Sequence, residues 1–285
     1  MGFLITDTSG VWSMKRSQEG AKFVPSGFLS PCQPCAAQGI MAFCCRQTRE
    51  CMCVRQRDFS LISRMPCVPG VSAMSLSPCG RYLYQLSSEA DFVHTRAVST
   101  GELLYAAPAG VFPRMMALDS GRLLVAGGAV GEAYLFSLPH LLLQRVMHTP
   151  HPCFLAGRWK EGYALVCAAE GEDIHTEIFT LVPHRLRPRR LLELPGMPAA
   201  MSMCPDEEHM LLSTGDGLMK INLKNGTVQW NRPEWALSMS IDVRGDLALV
   251  SDTISGRVCL MNHHRPWENE ILFTGRDAQA CFTES

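Results

Sequence analysis

Long hydrophobic runs, net charge and helical periodicity are what this chain lacks. No stretch approaches the roughly 18 consecutive apolar residues of a membrane-spanning helix, so no membrane association is expected. The start, Met1-Gly2-Phe3-Leu4-Ile5-Thr6, has neither a basic region nor an extended apolar one, and so does not read as a secretory leader. Gly2 and Thr6 fit a myristoylation pattern, but the same residues read better as the opening of a strand. Twenty-six Lys plus Arg stand against twenty-seven Asp plus Glu, a formal charge of −1, which removes the electrostatic drive for nucleic-acid binding. Only 19% of the 285 residues are charged while 47% are hydrophobic, the balance of a packed domain rather than a disordered chain. Chemistry-bearing motifs are missing too: there is no G-x-S-x-G, no Walker A, no G-x-G-x-x-G opening a helix and no H-E-x-x-H.

What is present is repetition. Short runs rich in Val, Leu, Ile, Met and Phe alternate with Gly, Pro, Ser and Asp, the pattern of an all-β chain. Ser72-Ala73-Met74-Ser75-Leu76-Ser77 is echoed by Ala200-Met201-Ser202-Met203 and by Ser238-Met239-Ser240-Ile241. Each is followed by a polar turn and a second run, here called strand B: Tyr82-Leu83-Tyr84, Met210-Leu211-Leu212 and Leu247-Ala248-Leu249-Val250. The residue just past each B core falls at Thr6, Cys44, Gln85, Ala126, Cys167, Ser213 and Ser251, giving intervals of 38, 41, 41, 41, 46 and 38 residues. These match the roughly 40–45 residues of a four-stranded propeller blade. The count also closes on itself. The chain begins inside a B strand, Phe3-Leu4-Ile5-Thr6, and ends with Ala280-Cys281-Phe282-Thr283, an A-type run with no B strand after it. The last run is therefore expected to supply the innermost strand of the first blade, and the chain to be complete.

Ile5-Thr6-Asp7-Thr8-Ser9-Gly10-Val11 and Val250-Ser251-Asp252-Thr253-Ile254-Ser255-Gly256 resemble the YVTN-type repeat of seven-bladed, WD40-like β-propellers. Leu76-Ser77-Pro78-Cys79-Gly80-Arg81-Tyr82-Leu83-Tyr84 is similar to the A–B turn of that family. The resemblance spans the whole chain, is sharpest in blades one, three and seven, and lacks a Trp-Asp dipeptide. It implies an architecture shared by proteins that mostly bind ligands or partners, and it implies no chemistry.

Thirteen cysteines, an odd number, cannot all pair internally, and with no export signal they are expected to stay mostly as thiols in the cytoplasm. Cys32-Gln33-Pro34-Cys35 with Cys51 and Cys53 offers four thiolates to a tetrahedral metal, or a redox pair. Against this, Cys44 and Cys167 occupy the small-residue slot held elsewhere by Thr, Ala or Ser. Cys35, Cys153 and Cys281 fall in A strands, so packing is the expected role. Cys51 and Cys53, two apart on a strand, share a face and remain the best ligand pair. His148-Thr149-Pro150-His151 and His263-His264 lack the partners of a zinc site and read as solvated loops.

In a propeller the B–C turns and D–A crossings share one face and the A–B and C–D turns the other. The first carries Asp7, Glu89, Asp91, Glu132, Glu170, Glu172, Asp173, Asp216 and Asp252. The second carries Lys15, Arg16, Arg55, Arg57, Arg96, Arg185, Arg187, Arg189, Arg190, Lys224 and Arg265, so a disc acidic on one side and basic on the other is expected. His184-Arg185-Leu186-Arg187-Pro188-Arg189-Arg190 is its densest basic patch, suited to bidentate guanidinium contacts.

The reading is one all-β domain, a seven-bladed propeller of four-stranded antiparallel blades. The blades fall near 1–25 plus 277–285, 26–69, 70–110, 111–151, 152–196, 197–236 and 237–276. Its mouth is expected to draw on Phe112, Arg114, His151, Trp235, Arg276 and Asp277 as aromatic anchors with mixed charge. The expected role is a monomeric, non-catalytic binding module for a protein or small ligand, needing no cofactor. A lactonase-like hydrolase at the same mouth, or a thiol or metal sensor in blade two, are the alternatives.

Overall fold

A computed structural model describes residues 2–9, 11–15, 22–24, 31–45, 48–119, 121–171, 173–182, 185, 187–252 and 255–283. Strands β1 (Gly2–Thr6), β2 (Val11–Lys15) and β3 (Lys22–Val24) open the chain. Blade two follows with β4 (Pro31–Ala37), β5 (Ile40–Cys45), β6 (Glu50–Arg55) and β7 (Leu61–Pro66). Blade three has β8 (Val71–Leu76), β9 (Tyr82–Ser87), β10 (Phe92–Ala97) and β11 (Leu103–Pro108). Blade four has β12 (Met115–Asp119), β13 (Arg122–Ala126), β14 (Glu132–Ser137) and β15 (Leu142–His148). Blade five has β16 (Cys153–Trp159), β17 (Gly162–Ala169), β18 (His175–Leu181) and β19 (Arg189–Pro195). Blade six has β20 (Pro198–Met203), β21 (His209–Thr214), β22 (Gly217–Asn222) and β23 (Val228–Arg232), and a single 3-10 turn, Pro233–Trp235, leads out of it. Blade seven has β24 (Ser238–Arg244), β25 (Leu247–Asp252), β26 (Arg257–Asn262) and β27 (Arg265–Thr274), and β28 (Gln279–Thr283) ends the chain.

Each sheet has four antiparallel strands in sequence order, except the first, whose order is β28-β1-β2-β3. Phe282 pairs with Phe3 and Cys281 with Leu4, so the end of the chain closes the ring on its beginning. The protein is a seven-bladed β-propeller.

The core is divided into seven apolar clusters, one in each seam between neighbouring blades. Strand β13 illustrates why its sequence, Leu123-Leu124-Val125-Ala126, shows no polar alternation. Leu123 and Val125 enter the seam with blade three, while Leu124 and Ala126 enter the seam with blade five. Both pleat faces are apolar because both are covered.

All seven residues of the repeat ruler, Thr6, Cys44, Gln85, Ala126, Cys167, Ser213 and Ser251, are fully buried. They do not all face the same way. Leu165 and Cys167 enter the seam behind blade five while Ala164 and Val166 enter the one ahead. Cys44, by contrast, faces forward into the seam with blade three. The shared small-residue slot expected for Cys44 and Cys167 is thus wrong by one position, and a slip of one residue reverses a strand's side chains. The same slip turns Gln85 back toward blade two, because Leu83 lies in that seam and Tyr84 and Leu86 in the next.

Candidate functional site

The two faces of the disc differ in where apolar side chains reach solvent. Leaving aside the outermost strands, the exposed large hydrophobics among the described residues are Phe92, Val111, Phe112, Ile174, Met197, Leu237 and Met239. All seven stand on the face of the B–C turns and D–A crossings. None stands on the turns of the opposite face. Phe112 is 57% exposed and Met239 48%.

The crossings that carry them are rigid rather than loose. Phe112, Leu237 and Asp277 adopt left-handed backbone, with φ of 52°, 54° and 52°. This conformation costs a non-glycine residue on the order of 1 kcal/mol, and it persists only where neighbours fix it. Here they do. The Phe112 N–H donates to Asp91 Oδ1 at 2.8 Å, and the Leu237 N–H donates to the Thr214 carbonyl at 2.9 Å. The Arg276 carbonyl accepts from the Thr8 N–H at 3.0 Å. Gly128 lies so close beneath Phe112 that a Cβ there would sit 1.8 Å from the Phe112 carbonyl oxygen. Only glycine fits that approach.

The six residues expected at the mouth divide. Phe112, Arg114, Arg276 and Asp277 are exposed on two of the crossings. The Arg114 guanidinium lies 5.3 Å from the centre of the Phe154 ring, stacked rather than free. His151 is half-exposed, its Nε2 3.3 Å from a carboxylate oxygen of buried Glu177. Trp235 corrects the expectation. It is only 3% exposed and packs in the seam of blades six and seven, with the Arg257 guanidinium 4.8 Å over its ring. It is a wall of the mouth and not an anchor. Leu237 and Met239, beside it, carry no local sequence signal of exposure, and Met239 lies at the start of β24.

Several charges of the expected acidic-and-basic disc are taken up in local pairs, while Glu89, Glu170, Asp173 and Asp216 stay exposed on the first face and Arg55, Arg187 and Lys224 on the second. Asp7 and Asp252 are buried and serve their own turns: Asp7 accepts from the Ser9 N–H at 2.9 Å, and Asp252 pairs with Arg257 at 3.4 Å. Asp91 is the cap of Phe112. On the other face Lys160 pairs with Glu208 at 3.0 Å, Arg57 with Asp58 at 3.3 Å and Arg265 with Glu268 at 2.7 Å. Arg96 lies within β10, donating from Nε to Gln85 Oε1 at 3.2 Å, and does not belong to a turn. Glu172, Arg16, His184 and Leu186 lie outside the described residues, as does the side chain of Lys15.

The basic patch also divides. Arg185, Arg187 and Arg189 are exposed, and the Arg185 carbonyl accepts a hydrogen bond from Arg145 of blade four. Arg190 is committed, 2.6 Å from Glu177 and 3.2 Å from Glu193. His175, Glu177 and Glu193 bring ligand-type atoms within 4.8 Å of one another, but this guanidinium already occupies both carboxylates. Of the other histidines, His148 is solvated and 3.5 Å from Glu132. His263 corrects the solvated-loop reading: it is buried, its Nε2 facing the Gly245 carbonyl at 2.9 Å, and burial holds its pKa below the usual value.

The cysteines regroup as well. Cys51 and Cys53 share the face turned to blade three, as their spacing requires. Burial and the nearby Cys53 push the Cys35 thiol up. A hydrogen bond between the two thiols, with burial, raises the Cys51 pKa, and the same hydrogen bond lowers that of Cys53. The side chain of Cys32 lies outside the described residues. The sulfurs that converge are not the expected four. Cys44 forms a disulfide with Cys67, and the Cys51 sulfur lies within 4.8 Å of both. Cys67, in the crossing after β7, stands alone in sequence and offers no spacing signal.

No family model matches the sequence, and no curated protein matches it. Solved structures do. A functionally unknown protein from Desulfotomaculum acetoxidans superposes with a TM-score of 0.72 at 9% identity, covering 99% of each chain. Hydrazine synthase from Kuenenia stuttgartiensis gives 0.69 at 12% identity, covering 87% of this chain and 80% of that one. A Bacteroides uniformis protein assigned provisionally as a 6-phosphogluconolactonase gives 0.59 at 13% identity, covering 80% of each. These likenesses establish the fold alone. Among the described residues no helix is long and apolar enough to cross a membrane.

Proposed function

We propose that the chain is a non-catalytic interaction module of the YVTN type, a cytoplasmic monomer that binds a protein partner through the face of its D–A crossings. One observation carries this reading. Phe112 and Leu237, on crossings held in strained, hydrogen-bonded backbone, and Met239, at the start of β24, present apolar surface on one face, whereas the exposed apolar side chains toward the other, such as Leu61, Leu103, Leu142 and Trp267, belong to the outermost strands. Exposed apolar side chains on rigid loops, rimmed by Arg114, Arg276 and Asp277, have the composition of an interface centre with a polar edge. Among the described residues ten cysteines are free thiols against the one Cys44–Cys67 disulfide, a balance that supports a reducing compartment. The names of the structural neighbours point in unrelated directions, so none lends this chain its chemistry.

A photo-crosslinking side chain placed at 112 or 239 should capture the same host protein, and one placed at 58 or 225 should not. Phe112→Asp combined with Met239→Asp should abolish the capture while leaving the melting temperature unchanged. Equal capture from both faces, or capture that survives the double substitution, would overturn the reading.

A further inference from the structure

We infer that Cys44, Cys51 and Cys67, together with the Met74 thioether, form a binding site for a soft monovalent cation, Cu(I), in the reduced protein. The site lies in the seam between blades two and three. β5 supplies Cys44, β6 supplies Cys51, the crossing after β7 supplies Cys67, and β8, the innermost strand of blade three, supplies Met74. The three cysteine sulfurs lie within 4.8 Å of one another. The Met74 Sδ is 3.1 Å from the Cys44 sulfur and 3.9 Å from that of Cys51. Four sulfurs from two blades thus converge in one small volume.

The donor set selects the ion. Every donor is sulfur, and no imidazole or carboxylate joins the group. Thiolate with thioether is the soft combination that favours Cu(I), whereas Zn(II) takes thiolate and imidazole and makes little use of a thioether. Cys44 and Cys51 are fully buried, so bulk water does not compete there, while Cys67 is partly exposed and gives the ion a way in.

A second feature points to the same place. Gln85 is fully buried, and its Nε2 has no hydrogen-bond partner. Its Oε1 accepts from Arg96, which leaves the amide N–H groups free to face the cluster, and the amide interacts with Cys51. A buried donor without a hydrogen-bond partner is costly. A ring of metal-bound thiolates would satisfy it and place the Arg96 charge behind the site, the arrangement in which outer groups tune a metal centre.

The Cys44–Cys67 disulfide makes the site conditional. A dithiol reductant transfers two electrons and two protons, the S–S bond breaks, two thiols form, and the dithiol becomes a disulfide. Cu(I) then replaces thiol protons, which pass to solvent.

The test uses the full chain. Protein reduced with dithiothreitol and desalted without oxygen is titrated against the coloured Cu(I)–bicinchoninate complex. The reduced protein should withdraw one equivalent per chain with X-ray absorption of a sulfur-only shell, and the oxidised protein should withdraw none. Cys67→Ser and Met74→Leu should each weaken retention at least tenfold, while Cys79→Ser, outside the cluster, should not. Met74→Leu conserves volume, so it decides the matter if Cys67→Ser fails to fold by circular dichroism. No withdrawal by the reduced wild type, unchanged retention in both cluster variants, or tighter retention of Zn(II) than of Cu(I) would overturn the inference.

Discussion

The Phe282 N–H donates a hydrogen bond to the Asp242 carboxylate at 2.7 Å, tying the strand that closes the ring to the innermost strand of the seventh blade. The Phe3 and Phe282 rings lie 5.8 Å apart there, the Ser240 hydroxyl donates to the Ala280 carbonyl at 3.2 Å and Arg244 to the Thr283 carbonyl at 2.9 Å. A half-buried carboxylate therefore sits where the ring is joined.

Burial raises the Asp242 pKa, and the Phe282 N–H and Arg244 only partly oppose it. The folded state holds this proton more tightly than the unfolded one. Its stabilising effect is present at acid pH and is lost as pH rises through the folded value. Asp242→Asn keeps the acceptor and removes the ionisation. The variant should melt above the wild type at pH 7, and the gap should close near pH 4. A wild type that melts higher at pH 7 would show that the ionised carboxylate supports the closure.

Thr6, Ser213 and Ser251 are fully buried at the ruler position, and their hydroxyls have no hydrogen-bond partner. A buried hydroxyl without a partner carries a desolvation cost of about 1 kcal/mol or more. Ser213→Ala and Ser251→Ala should leave the protein as stable as before, or more stable by about that amount, in urea unfolding. A loss of 1 kcal/mol or more would mean that each hydroxyl is satisfied in solution.

How far sequence reached can be judged from these same positions. The blade count and the ring closure were legible because each blade repeats a B strand covered on both faces, so the period survives even where the residues change. Side-chain direction was not legible. Gln85 and Cys167 align with Ser251 by spacing yet face the opposite seam, because one residue of slip reverses the pleat and leaves no trace in an all-apolar strand. Trp235 reads as an anchor in sequence although the 3-10 turn Pro233–Trp235 folds its ring into the seam of blades six and seven. Phe112, Arg276 and Asp277 were placed correctly on exposed crossings because Gly, Pro and Asp mark such turns locally. The Cys44–Cys67 pairing joins a strand to a crossing, a relation that only the fold creates.

Buried Glu177 faces Arg190 at 2.6 Å. Removing the guanidinium leaves a carboxylate with little water around it, whereas removing both charges leaves an apolar seam intact. Arg190→Ala should lower the denaturant midpoint measurably, though less than loss of a fully buried pair would, because Arg190 is itself exposed. Arg187→Ala, on an exposed connection, should stay within about 0.5 kcal/mol. Glu177→Gln should recover most of the loss in the Arg190→Ala background. Equal costs for Arg187 and Arg190 in denaturant titrations would refute the assignment of Arg190 to structure.

Cys79 stands apart from the other thiols. It is exposed in the A–B turn of blade three, with the Ser77 hydroxyl 3.3 Å from its sulfur. That hydroxyl, followed by the backbone and side chain of Arg81, lowers its pKa to about 7. Burial has the reverse effect on others, pushing Cys259 up to about 11 and Cys204 up to about 12. Because the thiolate is the nucleophile, alkylation of folded protein by iodoacetamide should begin at Cys79. Its rate should rise through a midpoint near pH 7. Ser77→Ala should move that midpoint upward toward the roughly 8.5 of a free cysteine and slow labelling at pH 7 severalfold. Peptide mapping after brief labelling reads both effects, and a buried cysteine labelled first would contradict them.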